Sequence, residues 1–168
     1  MNDKVRIDPT AEVKTSRVGE GTVIWQFAII LPGARLGRGC KVDCHTFIED
    51  EVSIGDRVTI KPGVYLWNGV TIEDDAFIGP CVAFTNDIYP RGNTAFKQVN
   101  TLVGRGASIG ANATILGGVT IGKYSMIGVG SVVTKDVPDY ALVYGNPATV
   151  RGWVDEGGNR VDAPPAEQ

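Results

Sequence analysis

An apolar side chain stands at every sixth position through most of this chain. From Val18 the comb runs through Ile24, Ile30, Leu36, Val42, Ile48, Ile54, Ile60, Leu66, Ile72, Ile78 and Phe84 without a miss. It resumes as Val103, Ile109, Ile115, Ile121, Ile127 and Val133. With 43% apolar residues overall, chance produces such a run roughly once in a few million tries. Four residues after each tooth stands a small or β-branched residue, from Thr22, Ala28, Ala34 and Cys40 to Val119, Ser125, Ser131 and Val137. Glycine often follows the tooth directly, as at Gly19, Gly37, Gly55, Gly104 and Gly122, which predicts a permissive residue at a recurring bend.

A period of six matches neither the 3.6-residue helix nor the alternation of a hairpin meander. It fits three short strands joined by turns into a coil of eighteen residues, each coil hydrogen-bonding to the next. The complete hexads, with Ile7 and Val13 below a one-residue deletion at Arg17, give about seven coils. At ~4.8 Å per coil they build a prism roughly 30 Å tall. The expected architecture is all-β: a parallel β-helix over residues 1–150, then 151–168 with a short hairpin turning at Gly157 and Gly158 and a frayed DAPPAEQ tail. Parallel crossovers are nearly always right-handed, so the hexad alone does not predict a left-handed coil.

The comb fails once, from 85 to 102, where TNDIYPRGNTAFKQVNTL brings Asp, Asn, Pro and Gly in place of the pattern. This predicts a protruding loop, and irregular loops on rigid scaffolds are where binding and catalysis concentrate. Composition narrows the partners. A net charge of -3 argues against a nucleic-acid surface, and no apolar stretch approaches the roughly 20 residues of a membrane helix, so a cytoplasmic protein is expected. Cys40, Cys44 and Cys81 form an odd set without CxxC spacing, consistent with reduced structural thiols rather than disulfides or zinc. One histidine, His45, cannot supply the three zinc ligands of a γ-class carbonic anhydrase, and no metal is expected.

Residues one coil apart lie above one another, which makes eighteen a ruler. Asp50, Asn68 and Asn86 share the third place of their hexads at successive eighteens and form a polar column ending where the loop begins. The plainer reading of Asp50 and Asn68 is a ladder satisfying turn backbone groups. Arg105 and Lys123 are likewise eighteen apart, a stacked cationic pair suited to phosphates or ordinary solvated charge. His45 falls almost one hexad away from the column, on the adjoining face, within reach of it only across a subunit interface.

The segments HTFIEDEVSIGDRVTIKPGVYLWNGVTIEDDAFIGP, FTNDIYPR, GASIGANATILGGVTIG, GSVVTKDVP and GNPA resemble nucleotide-linked amino-sugar N-acetyltransferases of the hexapeptide class, over about Gly21 to Val154. GSVVTKDVP and GNPA are widespread in hexapeptide acyltransferases, whereas FTNDIYPR with VYLWNG is particular to this group. The resemblance implies a left-handed β-helix, a homotrimer, acetyl-CoA lying between neighbouring prisms, and a nucleotide-linked amino sugar near the loop. Its acceptor would be the amine of a dTDP-3-amino-3,6-dideoxyhexose, with a UDP-linked amino sugar as the alternative.

The same resemblance places Asn86 by the reacting amine, with Asn68 and Asp50 in support, although Asn68 stands where a carboxylate is common. It adds Lys135 to the cations and runs the pantetheine arm past Gly117, Gly128 and Gly130. In the loop, Asp87, Tyr89 and Arg91 are candidates for sugar or diphosphate contacts. Tyr65 and Trp67 could face a pyrimidine base or pack at a subunit interface. Direct attack of the amine on the thioester is implied, without a dedicated base. The rival enzyme is a hexapeptide O-acetyltransferase using His45 as base.

Overall fold

The computed structural model describes residues 4–95 and 97–165. Among these every regular element is a strand, wound as a parallel β-solenoid of three faces. The first face stacks Arg6–Ile7, Val23–Ile24, Lys41–Val42, Thr59–Ile60, Phe77–Ile78, Ser108–Ile109, Met126–Ile127 and Ala141–Gly145. The second stacks Glu12–Val13, Ile29–Ile30, Phe47–Ile48, Tyr65–Leu66, Ala83–Phe84, Thr114–Ile115 and Val132–Val133. The third stacks Arg35–Leu36, Ser53–Ile54, Val70–Ile72, Thr101–Val103 and Thr120–Ile121, with Val18 and Val137 bridging singly at its two ends. Seven coils result, with an eighth strand begun on the first face. The predicted period and coil number hold.

The comb is the core. Every tooth except Val18 is buried, and so is every small residue four places on. Where that residue is polar its hydroxyl is satisfied: Thr22 donates to the Gly37 carbonyl at 2.9 Å and Ser125 to the Gly122 carbonyl at 2.7 Å. The three cysteines are free, and burial pushes the Cys40 thiol up from its ordinary value.

The glycine column has a different cause from the bend the sequence predicts. Gly19, Gly37, Gly55, Gly104 and Gly122 do not adopt left-handed backbone; the left-handed residues stand three places after the tooth, including Phe27, His45, Arg57, Asp75, Tyr124 and Gly39. The glycine is needed for close approach instead. A Cβ on Gly37 would lie 2.4 Å from the Gly55 carbonyl oxygen, and one on Gly19 would lie 2.5 Å from the Arg38 nitrogen.

At the top, Ala141–Gly145 turns back antiparallel into Ala148–Val154, which pairs in turn with Arg160–Val161. The predicted terminal hairpin at Gly157 and Gly158 is the second of these turns. The interruption runs from 85 to 100: the ladder resumes at Thr101 because its N–H reaches the Gly69 carbonyl at 3.0 Å and Val70 pairs with it in register.

Candidate active site

The corner between the second and third faces carries Asp50, Asn68, Asn86, Gly117 and Lys135 in successive coils. Asp50 Oδ1 accepts the Gly33 N–H at 2.7 Å, and Asn68 Oδ1 accepts the Glu51 N–H at 2.9 Å. Each side chain thus caps an amide of the coil below. Asn86 differs, because its Nδ2 donates to the Asn68 carbonyl at 3.5 Å while its backbone carbonyl takes the Val99 N–H at 3.1 Å. Those bonds close the neck of the loop, and the Asn86 Oδ1 has no hydrogen-bond partner among the described residues.

Of the hollows beside this corner, two are lined by residues expected in the site. One, of about 420 Å³, lies within the loop and is lined by Asn86, Asp87, Pro90, Arg91, Gly92 and Thr94. Asp87 Oδ1 accepts the Tyr89 N–H at 2.9 Å, and the Tyr89 ring itself stands 82% exposed. The other, of about 370 Å³, lies on the second face between Phe27, Ile29, His45, Phe47, Tyr65 and Trp67. Trp67 joins the two: its indole N–H donates to the Phe84 carbonyl at 2.9 Å, two residues before Asn86. His45, at the far corner of the same face, stacks on Phe27 with ring centroids 5.1 Å apart.

The family described as bacterial transferase hexapeptide (six repeats) matches residues 51–86 and 100–135. A dTDP-3-amino-3,6-dideoxy-alpha-D-galactopyranose 3-N-acetyltransferase of Aneurinibacillus thermoaerophilus is 52% identical over 150 residues, spanning 88% of this chain and 78% of that protein. The chain belongs to the hexapeptide transferase family. Its repeats fit a left-handed β-helix. A mutant of perosamine N-acetyltransferase from Caulobacter crescentus, solved with CoA and GDP-perosamine, superposes with a TM-score of 0.69 at 30% identity. That match covers 78% of this chain and 56% of the other. Serine acetyltransferase 4 of Arabidopsis thaliana is 40% identical over 129 residues, 76% of this chain but 30% of its own length.

Within one copy of this hexapeptide transferase the stacked pair Arg105 and Lys123 stands on a different corner from the loop. Arg105 and Lys123 stack on the corner between the third and first faces, where Arg105 pairs with Asp74 at 3.4 Å and Lys123 with Asp139 at 3.5 Å. Gly128 and Gly130 lie on the remaining corner, and Lys135 stands exposed above Gly117 on the loop's own. Gly117 is buried: its N–H donates to Thr85 Oγ1 at 2.8 Å, and a Cβ there would meet Val99 Cγ2 at 2.6 Å. Its glycine is explained by the returning loop.

The sequence reading missed Glu49, Thr85 and Gln98. Glu49 Oε2 accepts the Asn68 N–H at 2.6 Å, and Gln98 Nε2 donates to Glu51 Oε2 at 3.0 Å, tying the loop's return to the prism. The ruler of eighteen overlooked Glu49 because a long side chain reaches one coil up and one residue across, nineteen positions away. No pattern in the sequence pairs Gln98 with Glu51, 47 residues apart.

Proposed function

We propose that this chain transfers the acetyl group of acetyl-CoA to the C3 amine of a nucleotide-linked amino-deoxy sugar, dTDP-3-amino-3,6-dideoxyhexose. The observation that carries the reading is Asn86, whose Oδ1 has no hydrogen-bond partner among the described residues, at the neck of the loop that interrupts the prism, in a chain 52% identical to an enzyme of that name. The perosamine enzyme, solved with CoA and an amino-sugar nucleotide, supports the same class.

Asn86 Oδ1 accepts an N–H of the sugar amine and aims its lone pair. The nitrogen attacks the thioester carbonyl carbon, the tetrahedral intermediate collapses with cleavage of the C–S bond, and the departing sulfur takes the proton lost by nitrogen. Asp50 and Asn68 hold the column beneath, Asp87, Tyr89 and Arg91 meet the sugar and diphosphate, and Tyr65 and Trp67 offer their rings to the base. Positioning supplies the acceleration.

Arg105, Lys123, Lys135, Gly128 and Gly130 serve CoA across neighbouring prisms of a homotrimer. The separation of these residues over three corners supports that arrangement, as does the apolar second face, where Phe27, Ile29 and Tyr65 are 54%, 37% and 50% exposed. A solution mass of one protomer would sink the assembly.

The reaction is tested by following thiol release with dTDP- and UDP-linked 3-amino and 4-amino sugars. Release with the dTDP 3-amino sugar and a roughly 100-fold loss of kcat in Asn86→Ala are expected; silence with every amino sugar would refute the activity. O-acetyl transfer is the second reading, favoured by His45 lining the cleft beside Tyr65 and Trp67. It requires that His45→Ala abolish turnover on an alcohol acceptor.

A further inference from the structure

Beside the column lies a carboxylate to which the reaction above gives no part. Glu49 is half-buried, and its Oε2 accepts the Asn68 N–H at 2.6 Å. This is a short, charge-assisted bond, stronger than the neutral ones around it. Asn68 is a junction. Its Oδ1 holds the Glu51 N–H at 2.9 Å, and its carbonyl receives Asn86 Nδ2 at 3.5 Å.

The junction needs holding. Gly69 follows it at a φ of 91°, the least restrained residue type, and the coil above departs into the loop at Asn86. No backbone carbonyl accepts the Asn68 N–H among the described residues, so Glu49 is its partner there.

We infer that Glu49 is a positioning residue for acetyl transfer, fixing the Asn68 corner so that Asn86 spends Nδ2 on the Asn68 carbonyl and keeps Oδ1 aimed at the acceptor amine. This rests on the reading of Asn86 given above. Glu49 acts through a backbone amide and exchanges no proton, so what matters is an acceptor of the right length rather than a charge.

The test compares steady-state kinetics of Glu49→Ala, Glu49→Gln, Glu49→Asp, Asn86→Ala and the double variant Glu49→Ala with Asn86→Ala, using acetyl-CoA and a dTDP-3-amino sugar. Glu49→Ala lowers kcat roughly tenfold with an unchanged KM for acetyl-CoA. Glu49→Gln, whose amide oxygen reaches as far, restores most of that loss with an unaltered pH profile. Glu49→Asp keeps the charge, falls short of the Asn68 amide, and behaves like Glu49→Ala at less structural cost. On the Asn86→Ala background, removing Glu49 costs less than about twofold, because the two act as one unit.

Wild-type kcat in Glu49→Ala overturns the inference. So does an undiminished loss on the Asn86→Ala background, which marks a role in the fold alone, or a Gln variant as poor as Ala with a shifted pH profile, which marks proton transfer. Full activity in Asn86→Ala sinks the site reading itself and is visible independently of Glu49.

Discussion

Two corners of the same prism cap their backbone amides alike and differ in what else they carry. Between the third and first faces the side chains pair with one another: Arg57 makes a bidentate contact to Asp75 at 2.6 and 2.9 Å, and Tyr124 stacks on Tyr140 at 5.4 Å. Asp56 caps the Arg38 N–H, Asp74 caps the Asp56 N–H, and Asp139 caps the Lys123 N–H. Arg105 and Lys123 cannot accept, so the Arg105 N–H is met by Glu73, the one carboxylate standing in the glycine column. Between the second and third faces Asp50, Asn68 and Glu49 cap amides in the same way, but the ladder opens into a loop at Asn86. A closed corner makes stiffness. An open one leaves the Asn86 Oδ1 without a partner among the described residues.

The largest break in this contrast comes from Gly37→Ala on the closed corner. Its methyl has no room against the Gly55 carbonyl, and a loss of about 3 kcal/mol is expected, the upper end for overpacking. Gly39→Ala, two residues on, is the control. At a φ of 65° it bears only the left-handed strain, about 1 kcal/mol, and its Cβ finds nothing nearer than Arg57 Cγ at 3.5 Å. Denaturant midpoints of the two variants check the order; a larger loss in Gly39→Ala would restore conformational freedom as the reason for the glycine column.

That reversal marks how far the sequence could be read. The comb delivered the core, the coil number and the interruption, because burial imposes a strict period on teeth such as Ile60 and Leu66, whereas the terminal hairpin was marked by its own turn glycines, Gly157 and Gly158. It located Gly37 but not its cause, since close approach depends on a neighbour eighteen residues away rather than on local propensity. The Asn86 column was legible for the same periodic reason. Glu49 and Gln98 were not, because side-chain length and the path of an irregular loop leave no period behind. Arg105 and Lys123 read as free cations, and their partners Asp74 and Asp139 emerge only from the folded corner.

On the open corner a smaller loss is expected from Thr85→Val. The valine keeps the shape and removes the oxygen that accepts the buried Gly117 N–H, leaving an unsatisfied donor at a cost of about 1–3 kcal/mol. Because this bond anchors the root of the loop, turnover falls more than the melting temperature alone explains, which sharpens the division between a stiff corner and a working one. Equal kcat in Thr85→Val and wild type at a temperature where both are folded would detach the loop's root from the site.

The smallest effect sits on the closed corner's surface. Arg57 holds the Asp75 carboxyl below its ordinary value, chiefly by the direct hydrogen bond, and Asp75 raises the guanidinium in return. The folded-state value lies below the unfolded one, so the pair's contribution is fully present above the usual carboxylate range near pH ~4 and fades as pH falls through the folded value. Asp75→Asn therefore lowers the melting temperature slightly at pH 7, and its deficit against the wild type closes as both are acidified. Half-exposed charges are screened, so added salt narrows the deficit as well. A deficit constant from neutral pH to pH 2 would assign the corner's stiffness to the left-handed turns and the tyrosine stack rather than to its charges.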